Sequence, residues 1–303
     1  MDWSIEEDGI LGRMVFFWIK PAHDFMRFSI FFLVIMIGMQ NPVFSQKDKP
    51  VKVAMIQMKV VGGELEKNLS MASSLIAEAA RQGADIAVLP ECMDLGWTHP
   101  FSIQYASAIP GGLVFNRLSK LARENRIFIC SGMTEREGDK VYNAAVLLDD
   151  RGKLLLKHRK INELDIGKPY YATGDRINVV NTKWGRMGLI ICADATVEDG
   201  SILTALARME PRFILSPSAW AVPPGYDPIK DPYGDLWRNA YRPVSKKFST
   251  YIISVSNVGQ MNDGPWKGWD CIGASLAFDQ EGNEMLQCPY GAEAEGITFV
   301  DCN

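Results

Sequence analysis

The segment Trp184–Glu198, WGRMGLIICADATVE, decides how this chain is read. Met187 to Ile191 is an unbroken apolar run, as in a buried strand, and it delivers Cys192 at its end, just before the polar Asp194. A helix is predicted to start near Thr196, bringing its positive end close to the thiol. In an α/β fold such strand ends carry reactive groups, because backbone N–H groups there favour a thiolate and any oxyanion beside it. A lone cysteine in an apolar strand is more often a packing residue. Reading Cys192 as a nucleophile therefore requires other strand ends to supply a base and a cation.

Both are present along the chain. Val51 to Met58 has strand character, and Leu65, Leu69, Ala72, Leu75, Ile76 and Ala79 share one helical face that ends at Gly83. Asp85 to Leu89 is a short strand stopped by Pro90, and Glu91 follows. A helix through Val114, Leu118, Leu121 and Ala122 feeds a strand at Ile127 to Cys130. Asn143 to Leu148 and Lys153 to Arg159 flank Asp149-Asp150-Arg151-Gly152 and form a predicted hairpin, with Lys160 just beyond it.

After Cys192 come a helix through Ile202 and Leu206, a strand at Phe213 to Leu215, and a loop from Ser216 to Asp231 whose Trp220 and Tyr226 read as a pocket wall. A helix with Leu236 and Trp237, interrupted at Pro243, precedes strands at Thr250 to Ser256, Cys271 to Phe278 and Gly296 to Val300. Strands alternating with helices, plus antiparallel hairpins, predict an α/β or α+β layered fold of mixed sheets covered by helices. The pattern leaves a doubly wound sheet and a two-sheet sandwich both open.

The 303 residues carry a formal charge of −4 and no long basic run, which argues against nucleic acid or an anionic membrane as the main partner and favours a small molecule. Residues 46–303 read as one domain without an internal linker. Ahead of them, Met26-Arg27, the apolar run Phe28 to Met39, and Pro42 to Ser45 have the form of a secretory signal peptide over residues 26–45. Glu6, Glu7 and Asp8 do not suit an export signal, so residues 1–25 are expected to be a mis-called start. The run is shorter than the ~20 residues that span a bilayer, which disfavours a membrane anchor. The expectation is an exported protein, periplasmic or secreted. Its six cysteines form no CxxC pair, and any disulfide is expected among Cys271, Cys288 and Cys302.

Glu91, Lys160 and Cys192 together make a chemically complete set. A thiol whose ordinary pKa is ~8.5 needs a base to take its proton and a cation to favour the anion. Glu91 would be that base and would return the proton to a departing nitrogen. Lys160, with the backbone N–H of Ala193, would stabilise the oxyanion. A Cys-His hydrolase is the first rival, since alternation puts His158 on the same side of its strand as Lys160. Metal ligation has little support from two histidines in the mature chain and no paired-cysteine motif. Cys92, if its segment is extended, faces away from whatever Glu91 addresses. Trp97, His99, Tyr170 and Tyr171 are candidate wall residues for a substrate pocket.

Pro90-Glu91, the segment from Tyr142-Asn143 to His158-Arg159-Lys160, the run Gly185 to Asp194, and Gly273-Ala274-Ser275 with Asp279 and Gly282 resemble the nitrilase superfamily of carbon–nitrogen hydrolases. The resemblance spans about Val51 to Val300. It implies an αββα sandwich of two mixed sheets, usually assembled as a homodimer or larger homo-oligomer. It also implies cofactor-independent hydrolysis of non-peptide C–N bonds in small amides, carbamoyl compounds or nitriles. Many members carry a second glutamate after the lysine. Glu163 is the candidate, with Asp165 behind it, although Glu163 stands closer to Lys160 than the family spacing suggests. Ala195-Thr196-Val197 replaces the Arg-Phe-Pro run of several amidase branches. An acyltransferase or an idle binding module on the same fold are the remaining alternatives.

Overall fold

A computed structural model describes residues 49–197 and 200–303. The expected extension and signal peptide, residues 1–25 and 26–45, lie outside the described residues. Strand β1 (Val51–Gln57) shows how the layers arise. Its alternate residues Val51, Val53 and Met55 join the core between two sheets, while Ala54 and Ile56 turn to the opposite face and meet helix α1 (Leu65–Arg81) through Leu69, Ala72 and Ile76. The period of two thus places one apolar set in each layer.

The first sheet runs β15-β1-β2-β3-β4-β5, adding β2 (Ile86–Val88), β3 (Phe128–Glu137), β4 (Lys140–Leu148), β5 (Leu154–Arg159) and β15 (Gly296–Cys302). β1, β2 and β3 are parallel neighbours; β4, β5 and β15 pair antiparallel. A five-residue helix α2 (Phe101–Tyr105) lies in the connection after β2, and helix α3 (Leu113–Asn125) packs Val114, Leu118 and Leu121 beside α1 on the outer face.

The second sheet runs β14-β13-β10-β8-β7-β6 from β6 (Val179–Thr182), β7 (Gly185–Leu189), β8 (Phe213–Ser218), β10 (Tyr251–Ser256), β13 (Leu276–Phe278) and β14 (Glu284–Gln287). Here β7, β8 and β10 are the parallel strands. Helices α4 (Ser201–Ala207) and α5 (Asp235–Phe248) pack against it through Leu203, Leu206, Trp237 and Tyr241. β1 lies against β10 and β3 against β8, so the sheets are stacked face to face with helices outside. This is the αββα sandwich that the resemblance implied. A small third sheet joins β9 (Ala221–Val222), β11 (Val258–Gln260) and β12 (Asp270–Ile272).

Four local expectations are corrected. No α-helix begins at Thr196: Cys192–Ala195 is a single 3₁₀ turn, and α4 starts at Ser201. Helix α5 is not interrupted at Pro243 but continues through it, since a proline removes one N–H without forbidding the helix where packing holds both halves. The predicted strand Cys271–Phe278 is two strands in different sheets, broken at Gly273 and Ala274, whose φ values are +62° and +52°. A Cβ at Gly273 would run into the Gln57 side chain, so the glycine lets the backbone pass close over β1. Finally, all six cysteines are free and buried. Cys271 lies on β12, Cys288 just past β14 and Cys302 on β15, and the expected bridge among them is not formed.

Candidate active site

Three strand ends converge on one cavity. Glu91 follows β2, Lys160 follows β5 and Cys192 follows β7, and all three line a pocket of about 260 Å³. Glu91 is fixed by its neighbours' backbones. Its N–H donates to the Ser218 carbonyl at 3.1 Å, at the end of β8 in the other sheet, and Gly132 N–H donates to the Pro90 carbonyl at 3.0 Å. A Cβ on Gly132 would lie 2.5 Å from Glu91 Cα, so only glycine lets β3 pass this closely.

The polar contacts form a closed set. Lys160 Nζ donates to Glu91 Oε1 at 2.7 Å and stands 3.6 Å from Glu163 Oε2. Asn143 Nδ2 donates to both carboxylates, at 2.6 Å to Glu91 Oε1 and 2.9 Å to Glu163 Oε1. Trp97 Nε1 reaches Glu163 Oε2 at 3.5 Å, and its ring lies under the Lys160 ammonium at 5.3 Å. Glu91 Oε2 is buried without a hydrogen-bond partner among the described residues, and the Glu91 carboxylate faces the Cys192 thiol.

Burial works against the Lys160 charge, but the carboxylates of Glu91 and Glu163 overcome it and hold the ammonium well above its ordinary pKa. Burial raises the Glu163 carboxyl, the nearby ammonium lowers it and Glu91 raises it again; the result is about 7. Burial and the Glu91 charge push the Cys192 thiol up, while Lys160 and the backbone N–H of Ala219 oppose them. The resting sulfur is therefore a thiol, contrary to the expectation that its surroundings would favour the anion. Cys192 adopts φ +44°, a conformation L-residues avoid, where the chain leaves the strand and enters the 3₁₀ turn.

Asp194 locks this turn to the neighbouring strand end. Its Oδ1 accepts from the N–H groups of Ile161 and Asn162 at 3.0 and 2.8 Å, and its Oδ2 accepts from Ile191 N–H at 3.0 Å and faces His158 Nε2 at 2.7 Å. Burial raises the Asp194 carboxyl, yet these donors, His158 foremost, bring it below the ordinary carboxylate range. Asn162 Nδ2 donates to the Ala193 carbonyl at 2.6 Å, a second tie between the two loops. His158 is thus the partner of Asp194 and does not line the cavity.

Of the residues named from sequence, Glu91, Lys160, Cys192, Ala193, Trp97 and Trp220 line the cavity. Glu163 stands directly behind it, on Lys160 and Asn143, and so belongs to the same cluster despite its short spacing. Asp165 instead pairs with Lys168 on the surface. His99, Tyr170 and Tyr226 do not line it. His99 Nδ1 accepts from Phe101 N–H at 3.2 Å, Tyr170 packs near Tyr171, and Tyr226 packs on Tyr233 outside the site. Tyr171 is buried behind the site, with its hydroxyl accepting from Thr98 N–H at 3.0 Å.

Cys92 is not extended but takes φ +43°, and its thiol sits 3.4 Å from Asn143 Oδ1, where it helps aim the amide. Asn143 itself, and Tyr233, Leu236, Trp237 and Trp266 of the wall, were not singled out as site residues. The only sequence signal for Asn143 was its place in the Tyr142-Asn143 block.

The two-sheet sandwich thus brings a carboxylate, an ammonium and a thiol together at adjoining strand ends. The carbon-nitrogen hydrolase family model matches residues 52–303, and the chain belongs to that family. It is 30% identical to a nitrilase of Pyrococcus abyssi over 255 residues, covering 83% of this chain and 90% of that protein. It is 36% identical to an omega-amidase of Mus musculus over 153 residues, 47% of this chain and 55% of that protein, so this match spans about half of the relative. Among solved structures, a carbon–nitrogen hydrolase from Helicobacter pylori matches with a TM-score of 0.73 at 19% identity, covering 84% of this chain and 89% of that one. A nitrilase-superfamily protein from Saccharomyces cerevisiae matches with a TM-score of 0.70 at 22% identity, over 84% and 90% of the chains. These structures share the fold.

Proposed function

We propose that this carbon–nitrogen hydrolase cleaves a small amide, carbamoyl compound or nitrile through a thioester on Cys192. The observation that carries this reading is the convergence of Glu91, Lys160 and Cys192 on one cavity, with the Glu91 carboxylate facing the Cys192 thiol. For an amide, Glu91 takes the thiol proton as the sulfur attacks the carbonyl carbon. The oxyanion is stabilised by Lys160 and the Ala193 N–H. Collapse breaks the C–N bond, and the nitrogen leaves as ammonia or an amine with the proton from Glu91. Water, deprotonated by Glu91, then attacks the thioester to release the acid and restore the thiol. Glu163 and Asn143 support the carboxylate and ammonium in this cycle, and no step calls for a cofactor.

The test is ammonia release across small amides, carbamoyl compounds and nitriles, with mass spectrometry of the protein to trap an acyl group on Cys192. Cys192→Ala should abolish release, and undiminished turnover in that variant would remove the mechanism. The reading extends to an exported enzyme cleaved after Ser45, with residues 46–303 as the mature domain assembled as a homodimer or larger homo-oligomer. N-terminal sequencing of protein from the producing cell, and sedimentation of the purified chain, test those two points.

A further inference from the structure

The walls of the cavity beyond the reacting groups are aromatic. Trp220 and Trp237 stack with centroids 4.6 Å apart and planes 16° apart, and Trp237 Nε1 donates to the Tyr233 hydroxyl at 3.0 Å, which fixes the pair. Trp97 and Trp266 add an edge-to-face pair at 5.2 Å. Leu164 and Leu236 add aliphatic wall, with Leu236 exposed to 62%, and Thr196, Ala219 and Ala221 line the remainder. Among the described residues lining the cavity, the charged ones are Glu91 and Lys160, and Lys160 is already engaged by Glu91 and Glu163.

A substrate carboxylate brought here would meet the Glu91 carboxylate and no free cation, and would lose its hydration without replacement. A flat apolar group would instead exchange water for ring faces. The volume is adequate, since an apolar cavity of about 150 Å³ already takes up benzene.

We propose that the acyl half of the substrate is an uncharged aromatic or arylalkyl group, and that the pocket selects against ω-amides that carry a free carboxylate. This rests on the hydrolase reading for the identity of the reacting bond, but the selectivity itself is a property of binding. The experiment therefore separates the two. The full chain carrying Cys192→Ala is titrated calorimetrically with phenylacetamide and with succinamate, while ammonia release from both is followed on the unaltered chain.

Phenylacetamide is expected to bind about tenfold tighter or more than succinamate. Adding Trp266→Ala should lose about tenfold of that affinity. Trp237→Phe, which keeps a ring and most of the volume, supplies a second reading should Trp266→Ala not fold. Adding Leu236→Arg, at an exposed position, should raise affinity for succinamate. Equal or tighter binding of succinamate, no binding of phenylacetamide, or indifference to the tryptophan changes would overturn the proposal. Tight phenylacetamide binding with no ammonia released would instead leave the pocket assignment standing and sink the hydrolysis.

Discussion

Lys160 Nζ lies 2.7 Å from Glu91 Oε1, and both side chains are only 1% exposed. Glu91 and Lys160 are thus held as a buried ion pair before any substrate arrives. In such a pair each charge is tolerable because of the other, and removing one leaves an uncompensated charge away from water.

Lys160→Met should therefore unfold the chain more easily as well as silence it, at a cost of about 3–5 kcal/mol. Denaturant titration reads this directly. The double change with Glu91→Gln should recover part of the stability but none of the turnover. Wild-type stability in Lys160→Met would mean that the pair is not buried as described.

The Glu163 carboxyl, pushed up to about 7, makes stability depend on pH. Unfolded, it would release its proton near its ordinary value of ~4.3. Folded, it keeps the proton until about 7. Its contribution is therefore fully present below the unfolded value and is lost as pH rises through the folded one, with a slope of at most ~1.4 kcal/mol per pH unit between them. Glu163→Gln should flatten unfolding free energy against pH over this window. A wild-type curve no steeper than that of the variant would contradict the assignment.

Asp194 bonds backbone on both the Lys160 side, through Ile161 and Asn162, and the Cys192 side, through Ile191. Asp194→Asn sets an NH₂ group against a cluster built of donors and should cost about 1–3 kcal/mol. Because the two loops then lose their common anchor, kcat should fall by about 100-fold while KM changes little. A purely structural role would lower stability and leave kcat of the folded fraction intact.

Most of the layering was legible in the sequence because it follows from periodicity. Val53 and Met55 alternate with Ala54 and Ile56 on β1, and the face of α1 is apolar at helical spacing. The strand ends at Glu91 and Cys192 were legible because each follows an apolar run, and that at Lys160 because it follows the turn-marked hairpin. What escaped was geometry that no local pattern encodes. Asn143 sits in mid-strand like any buried polar residue, and only its partners, 52 and 20 residues away, give it a role. Pro243 breaks helices on average, but Trp237 and Tyr241 before it and Ser245 after it are buried, and that packing carries α5 past it. His99 and Tyr170 lie near the site in sequence, yet backbone turns after Glu91 and Glu163 direct them elsewhere.

The Glu91 N–H bond to the Ser218 carbonyl joins the two halves of the sandwich at the candidate site. Glu91 and Lys160 are mounted on one sheet and Cys192 on the other, so under the proposed mechanism catalysis works as a gauge of how the layers are registered. A slip too small to expose any core residue would already separate proton donor from acceptor. On warming, turnover should fade before the far-ultraviolet dichroism does, and a ligand that bridges both sheets should delay that loss.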